Sequence, residues 1–183
     1  MNRYTYLDIE SYHPTIDLKR DYEAYKLNAE PITIQLQEID IITGLPNTDL
    51  EVITKWENPD MLERFGKLLD RSQALRRIFI GLNPKDFDFP ILKNALDRKN
   101  IRPNYNFKSP FAFDLRGIRV FQNKGMLTKD YLVWGPDNHD GDKIKTWYET
   151  KQYSLITNYV KNENEQFLKW FQDILKALPK PNI

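Results

Sequence analysis

Cysteine is absent from the 183 residues, and histidine appears only as His13 and His139. The first absence excludes a disulfide framework, Cys-ligated zinc, an iron-sulfur cluster and a thiol nucleophile. The second leaves almost no material for a histidine metal site or a Ser-His-Asp triad. Chemistry therefore has to rest on carboxylates, tyrosine or lysine. No apolar run approaches the roughly 18 residues of a membrane span, and the start MNRYTYLDIE has no signal-peptide pattern. An intracellular, soluble, cytoplasmic protein with no membrane association is the expectation. What is present is a globular composition, 40% hydrophobic and 13% aromatic with 29% charged residues, in a chain of the length of one domain, taken as 1–183.

Charge is nearly balanced overall, 27 Lys+Arg against 26 Asp+Glu, but it is segregated along the chain. Residues 1–60 hold 5 basic and 12 acidic side chains. Residues 98–129 reverse the sign: Arg98, Lys99, Arg102, Lys108, Arg116, Arg119, Lys124 and Lys129 face Asp114 alone. Tyr105, Phe107, Phe111, Phe113 and Phe121 are interleaved with them. Such interleaving suits a polyanion whose bases can stack, which makes single-stranded nucleic acid a candidate partner. A solvated face above core aromatics is the competing reading.

Periodicity orders the chain as β-β-β-α-β-α-β-α. Tyr4–Ile9 reads as a strand, and Pro31–Asp40 as a second in which Ile32, Ile34 and Leu36 alternate with polar neighbours. Leu50–Trp56 gives a third. A helix capped by Asn58 or Asp60 follows, with Met61, Leu62, Phe65, Leu68 and Leu69 at helical spacing. Ile78–Leu82 is a short apolar strand, Phe89–Arg98 a helix with Pro90 in its first turn, and Phe111–Phe121 contains a further strand. Ser154–Leu178 is a long amphipathic helix. This order predicts an α/β fold in which an initial meander is extended by helical crossovers into a mixed five-stranded sheet flanked by helices.

The acidic residues fall in informative places on that map. Asp8 and Glu10 are two apart on the first strand, so both carboxylates project from one face. Two anions side by side among Tyr, Leu and Ile repel unless a cation joins them, although a Glu10 just past the strand end facing water is the plainer alternative. Asp88 stands where a buried strand gives way to a helix, a place suited both to capping and to ligand binding. The acidic run Asp137–Asp142 fails the spacing of a calcium loop and reads as a polar turn.

These residues resemble the DEDD group of 3′-5′ exonucleases on the ribonuclease H-like fold. That family's first motif, Asp-x-Glu on the first strand, is similar to Asp8-Ile9-Glu10-Ser11. Its second, a strand ending in Gly-x-Asn and then Phe-Asp before an apolar helix, looks like Gly81-Leu82-Asn83 followed by Phe87-Asp88-Phe89-Pro90-Ile91-Leu92. The resemblance is closest to the exonuclease domains of family B DNA polymerases, and Phe113-Asp114-Leu115-Arg116 looks like a further segment of theirs. The third motif of the tyrosine variant, Tyr-x-x-x-Asp, is met by Tyr159-Val160-Lys161-Asn162-Glu163, in which glutamate replaces aspartate. Residues four apart lie on one helix face, so Tyr159 and Glu163 are expected at one site.

The resemblance implies hydrolysis of phosphodiester bonds in single-stranded or frayed nucleic acid, DNA more than RNA, in a process such as DNA repair. A phosphodiester repels hydroxide, so near neutral pH two divalent ions must neutralise the attacking and leaving oxygens. Hard oxygen ligands imply Mg²⁺ or Mn²⁺. In the implied roles Asp8 bridges both ions, Glu10 and Glu163 complete one, Asp88 holds the other through waters, and Tyr159 orients or helps deprotonate the water. Ser11, Asn83 and Phe87 are the implied substrate contacts. A degenerate fold that binds nucleic acid or a protein partner without cutting, and an endonuclease on the same core, remain the alternatives.

Overall fold

The alternation of apolar and polar residues over Arg3–Tyr12 produces a ten-residue strand, β1, that becomes the centre of the sheet. The computed structural model describes residues 3–108, 110–115 and 143–177. After β1 come α1 (Tyr22–Asn28), β2 (Glu30–Ile39), β3 (Glu51–Thr54), α2 (Met61–Ala74), β4 (Arg77–Gly81), α3 (Asp88–Arg98), β5 (Ala112–Asp114), α4 (Ile144–Glu149) and α5 (Tyr153–Ala177). The strands lie in the order β3-β2-β1-β4-β5. β2 runs antiparallel to β1 and β3, whereas β4 and β5 continue parallel to β1. Parallel neighbours need a crossover: α2 carries the chain from the edge strand β3 across to β4 beside β1, and α3 joins β4 to β5. This is the ribonuclease H-like arrangement expected from the sequence, a mixed five-stranded sheet flanked by helices.

Each face of the sheet is covered. Leu7, Ile9, Ile34, Leu36 and Phe79 pack on one side against Phe65 and Leu69 of α2 and Phe89 and Leu92 of α3. On the other, Tyr6, Ile39 and Ile80 meet Phe167, Phe171 and Ile174 of α5. The stripe of α5 repeats every three to four residues, which suits a helix laid across a sheet face.

Two details of β2 depart from simple alternation. Thr33, Gln35 and Gln37, the polar neighbours of the apolar positions, are buried at 0%, 0% and 6% exposure. The reason is α5, whose packing buries the second face as well. Ile32 also leaves the company of Ile34 and Leu36 and joins Ile144, Ile156 and Val160. Glu10 is paired with Thr33 and Ser11 with Pro31, so Ile32 is an extra residue, a β-bulge that turns its side chain to the α5 side. Pro31 has no N–H to lose there.

Gly81 closes β4 beside β1, and a Cβ placed on it would lie 2.6 Å from the Leu7 carbonyl oxygen. Only glycine permits that approach. The strand expected over Phe111–Phe121 is seen as Ala112–Asp114; Arg116, Arg119, Phe121, Lys124 and Lys129, and the acidic run Asp137–Asp142, lie outside the described residues. Among the described residues no helix is long and apolar enough to cross a membrane.

Candidate metal centre

The carboxylates converge on the face of the sheet that α5 covers. Tyr6, Asp8 and Glu10 alternate along β1 onto that face, and α5 crosses it with Glu163 inward. Asp8, Glu10 and Glu163 each offer an oxygen, and these oxygens lie within 4.8 Å of one another. All three are half-buried. Tyr159 is one helical turn before Glu163, and its hydroxyl donates to Glu163 Oε1 at 3.4 Å.

Asp88, on a different element, stands outside that group of three but near enough for the Asp8 and Glu163 charges to act on it. It is the first residue of α3 rather than its cap; Phe87 takes the capping position and makes no side-chain cap. The Asp88 side chain is 2% exposed, and its Oδ1 has no hydrogen-bond partner. The loop before it is set by Asn83, which adopts a left-handed backbone (φ 62°) and accepts at its carbonyl from the Phe87 N–H at 3.1 Å. The Asn83 N–H donates to Asp114 Oδ1 at 3.1 Å, tying the loop to the end of β5. Asn83 therefore shapes the turn through its backbone. Phe87 stacks with Tyr22 of α1 at 6.1 Å between ring centroids. Ser11 faces Tyr25, and both its hydroxyl and its carbonyl bond the Tyr25 hydroxyl.

Crowding of four anions has the expected electrostatic consequence. Burial pushes the Asp8 carboxyl up to about 7 from 3.8, against hydrogen bonds from the Ile9 backbone and the Tyr6 side chain. Burial, then the neighbouring Glu163 and Asp8 charges, raises Glu10. Asp88 is raised by burial and by Asp8, and Glu163 likewise by burial and by Asp8. The Tyr159 hydroxyl is held in its protonated form by burial and by Glu163. No salt bridge among the described residues neutralises any of the four carboxylates.

The donor set fits a hard divalent cation. Asp88 Oδ1 and Glu163 Oε2 are buried acceptors without donors, and every converging group is a carboxylate oxygen. Unpaired buried acceptors cost free energy that a bound cation recovers.

The basic stretch is less available than its sequence suggests. Arg98 spends its guanidinium on the Leu27 carbonyl and on the Ala29 carbonyl, the latter at 2.6 Å. Tyr105 is buried and Phe107 packs on the same core as Phe79 and Phe89. These two aromatics are core, so the reading of them as a base-stacking surface is corrected. Sequence reasoning missed Thr33, Gln35 and Tyr25 around Glu10; the signal for the two β2 residues was a run of polar residues in a strand whose second face is covered, whereas Tyr25 sits on the seven-residue α1.

No protein-family model and no curated protein matches the chain. Solved structures similar to it include exonuclease I in complex with the inhibitor BCBP, at 12% identity and a TM-score of 0.46 over 67% of this chain. Exonuclease I in its apo form is similar at 13% identity and 0.44 over 76%. E. coli exonuclease I in complex with a dT13 oligonucleotide is similar at 12% and 0.41 over 63%. The chain spans 28–34% of the length of these proteins.

Proposed function

We propose that the chain is a single ribonuclease H-like domain over 1–183 acting as a metal-dependent 3′-5′ exonuclease on single-stranded or frayed nucleic acid, DNA favoured, with a cytoplasmic location. The observation that carries this reading is the convergence of Asp8, Glu10 and Glu163 within 4.8 Å on the face that α5 covers, with no lysine or arginine bridged to them among the described residues. Asp8, Glu10, Asp88 and Glu163 would hold Mg²⁺ or Mn²⁺, which when bound supplies the positive charge that a phosphodiester's attacking and leaving oxygens require.

The chain's own groups do the rest. Tyr159, whose hydroxyl donates to Glu163 Oε1, would orient a water molecule beside the carboxylates by accepting a hydrogen bond from it. A cavity of about 370 Å³ opens beyond the end of β1, lined by Ser11, His13, Ile16, Tyr25 and Lys145 among others. Its size suits the terminal nucleoside. Phe87, beside Asp88, offers a ring on which a neighbouring base stacks.

Incubation of 5′-labelled single-stranded DNA and RNA with the protein, in Mn²⁺ and in EDTA, tests the reading. The expected result is stepwise shortening from the 3′ end that EDTA abolishes. Retention of the strand without shortening supports the non-cleaving alternative, and internal fragments support the endonuclease.

A further inference from the structure

The β-bulge beside Glu10 interrupts the ladder between β1 and β2 at the residue that carries a proposed metal ligand. Backbone groups there must find other partners, and they find side-chain hydroxyls. The Glu10 N–H donates to Thr33 Oγ1 at 3.0 Å. Thr33 is fully buried, and its hydroxyl also accepts from Gln35 Nε2 at 2.9 Å. Gln35 is itself fully buried and lies opposite Asp8 in the register. On the other side of the bulge, the Tyr25 hydroxyl donates to the Ser11 carbonyl at 2.8 Å. Its only proton is then used, so at the 3.2 Å contact between the two hydroxyls the Ser11 side chain donates to Tyr25. Tyr25 lies near enough to Glu10 for that charge to act on it.

We infer that Thr33 and Tyr25 are positioning residues which clamp the bulge from β2 and from α1 and so aim the Glu10 carboxylate at Asp8 and Glu163. Two hydroxyls from different elements take the place of ladder bonds beside Glu10, where β2 carries the extra residue Ile32: Thr33 takes the Glu10 N–H and Tyr25 the Ser11 carbonyl. Bulges commonly re-aim a side chain beside a site, and partners behind a ligand set its orientation. Gln35 holds the Thr33 hydroxyl in place. Without the Thr33 clamp Glu10 keeps its charge and its strand, and loses its direction.

This inference rests on the metal-centre reading, so the test measures cation binding directly. Mn²⁺ affinity is titrated for wild type, Thr33→Val, Thr33→Ser and Tyr25→Phe, with amide hydrogen exchange followed at Glu10 and Ser11. Thr33→Val is expected to weaken Mn²⁺ binding about tenfold, the usual scale for loss of a group behind a ligand, and to speed exchange at Glu10. Thr33→Ser keeps the hydroxyl and should stay within about twofold of wild type by the same reasoning. Tyr25→Phe removes one oxygen and should weaken binding in the same direction as Thr33→Val, which keeps the test decisive if Thr33→Val fails to fold. Wild-type binding with Tyr25→Phe and Thr33→Val unchanged overturns the positioning role alone. A wild-type protein that binds no Mn²⁺ overturns the metal-centre reading and this inference with it.

Discussion

Asp88 shows what a single buried carboxylate does when its partner is a cation. Its side chain is 2% exposed with an oxygen that nothing donates to, and burial and Asp8 both oppose its ionisation. Asp88→Asn removes the charge and keeps the shape. In EDTA the variant should melt higher than wild type, by about 2–4 °C for each kcal/mol recovered, while divalent-dependent degradation is lost. A thermal melt in EDTA beside the digestion assay checks both. Glu163 is the position where this chain departs from the family it resembles. Its longer side chain reaches the oxygens of Asp8 and Glu10. Glu163→Gln should remove nearly all activity, Glu163→Asp should keep part of it, and wild type should be more active in Mn²⁺ than in Mg²⁺, as initial rates will show. Spacing made Tyr159 and Glu163 legible, because four residues on a helix is a fixed geometry. Thr33 and Gln35 were not legible, since a polar residue in a strand looks the same whether a helix covers it or water does, and Tyr25 was hidden with the short α1 that carries it.

At the scale of elements, β1, β4 and α3 act as one unit around Gly81. The 2.6 Å that a Cβ would leave to the Leu7 carbonyl allows β4 to pair closely with β1 and fixes where the loop to Asp88 begins. Gly81→Ala should force the two strands apart next to Asp8, lowering the melting temperature and weakening Mn²⁺ binding together. Calorimetry and a Mn²⁺ titration on the one variant read the two effects. The strands and the long helices were visible in the sequence because each carries an apolar stripe or run. α1 was not: it has seven residues of which only Tyr25 is buried, and its one strong signal is the Asp21 side chain accepting from the Ala24 N–H. α4, at six residues, is shorter than the period that periodicity needs. The Ile32 bulge was hidden because a one-residue slip in register leaves no mark in composition.

For the whole molecule, the carboxylate cluster couples stability to pH and to metal. Asp8 keeps its proton in the folded state up to about 7, and its ordinary value is 3.8. The folded state therefore holds more protons than the unfolded chain between those values, so the metal-free protein loses stability as pH rises through that window. Glu10, Asp88 and Glu163 are raised in the same direction and add to the effect. A cation reverses the trend, because it binds the deprotonated carboxylates and releases their protons. The gain in melting temperature on adding Mn²⁺ should accordingly grow from pH 5 to pH 8, and a gain independent of pH would contradict the assignment. The order of elements, and with it the sheet, followed from the alternation of strand and helix patterns. The balance of charge did not reveal its own use, since Arg98 turned out to hold α1 to α3 through carbonyls.

A crystal soaked in Mn²⁺, with anomalous scattering recorded, tests most directly whether Asp8, Glu10 and Glu163 form one cation site. The account predicts an anomalous peak with oxygens of all three as ligands and Asp88 facing the same site. No peak between them, or a peak with Glu163 turned away from Asp8, would contradict it.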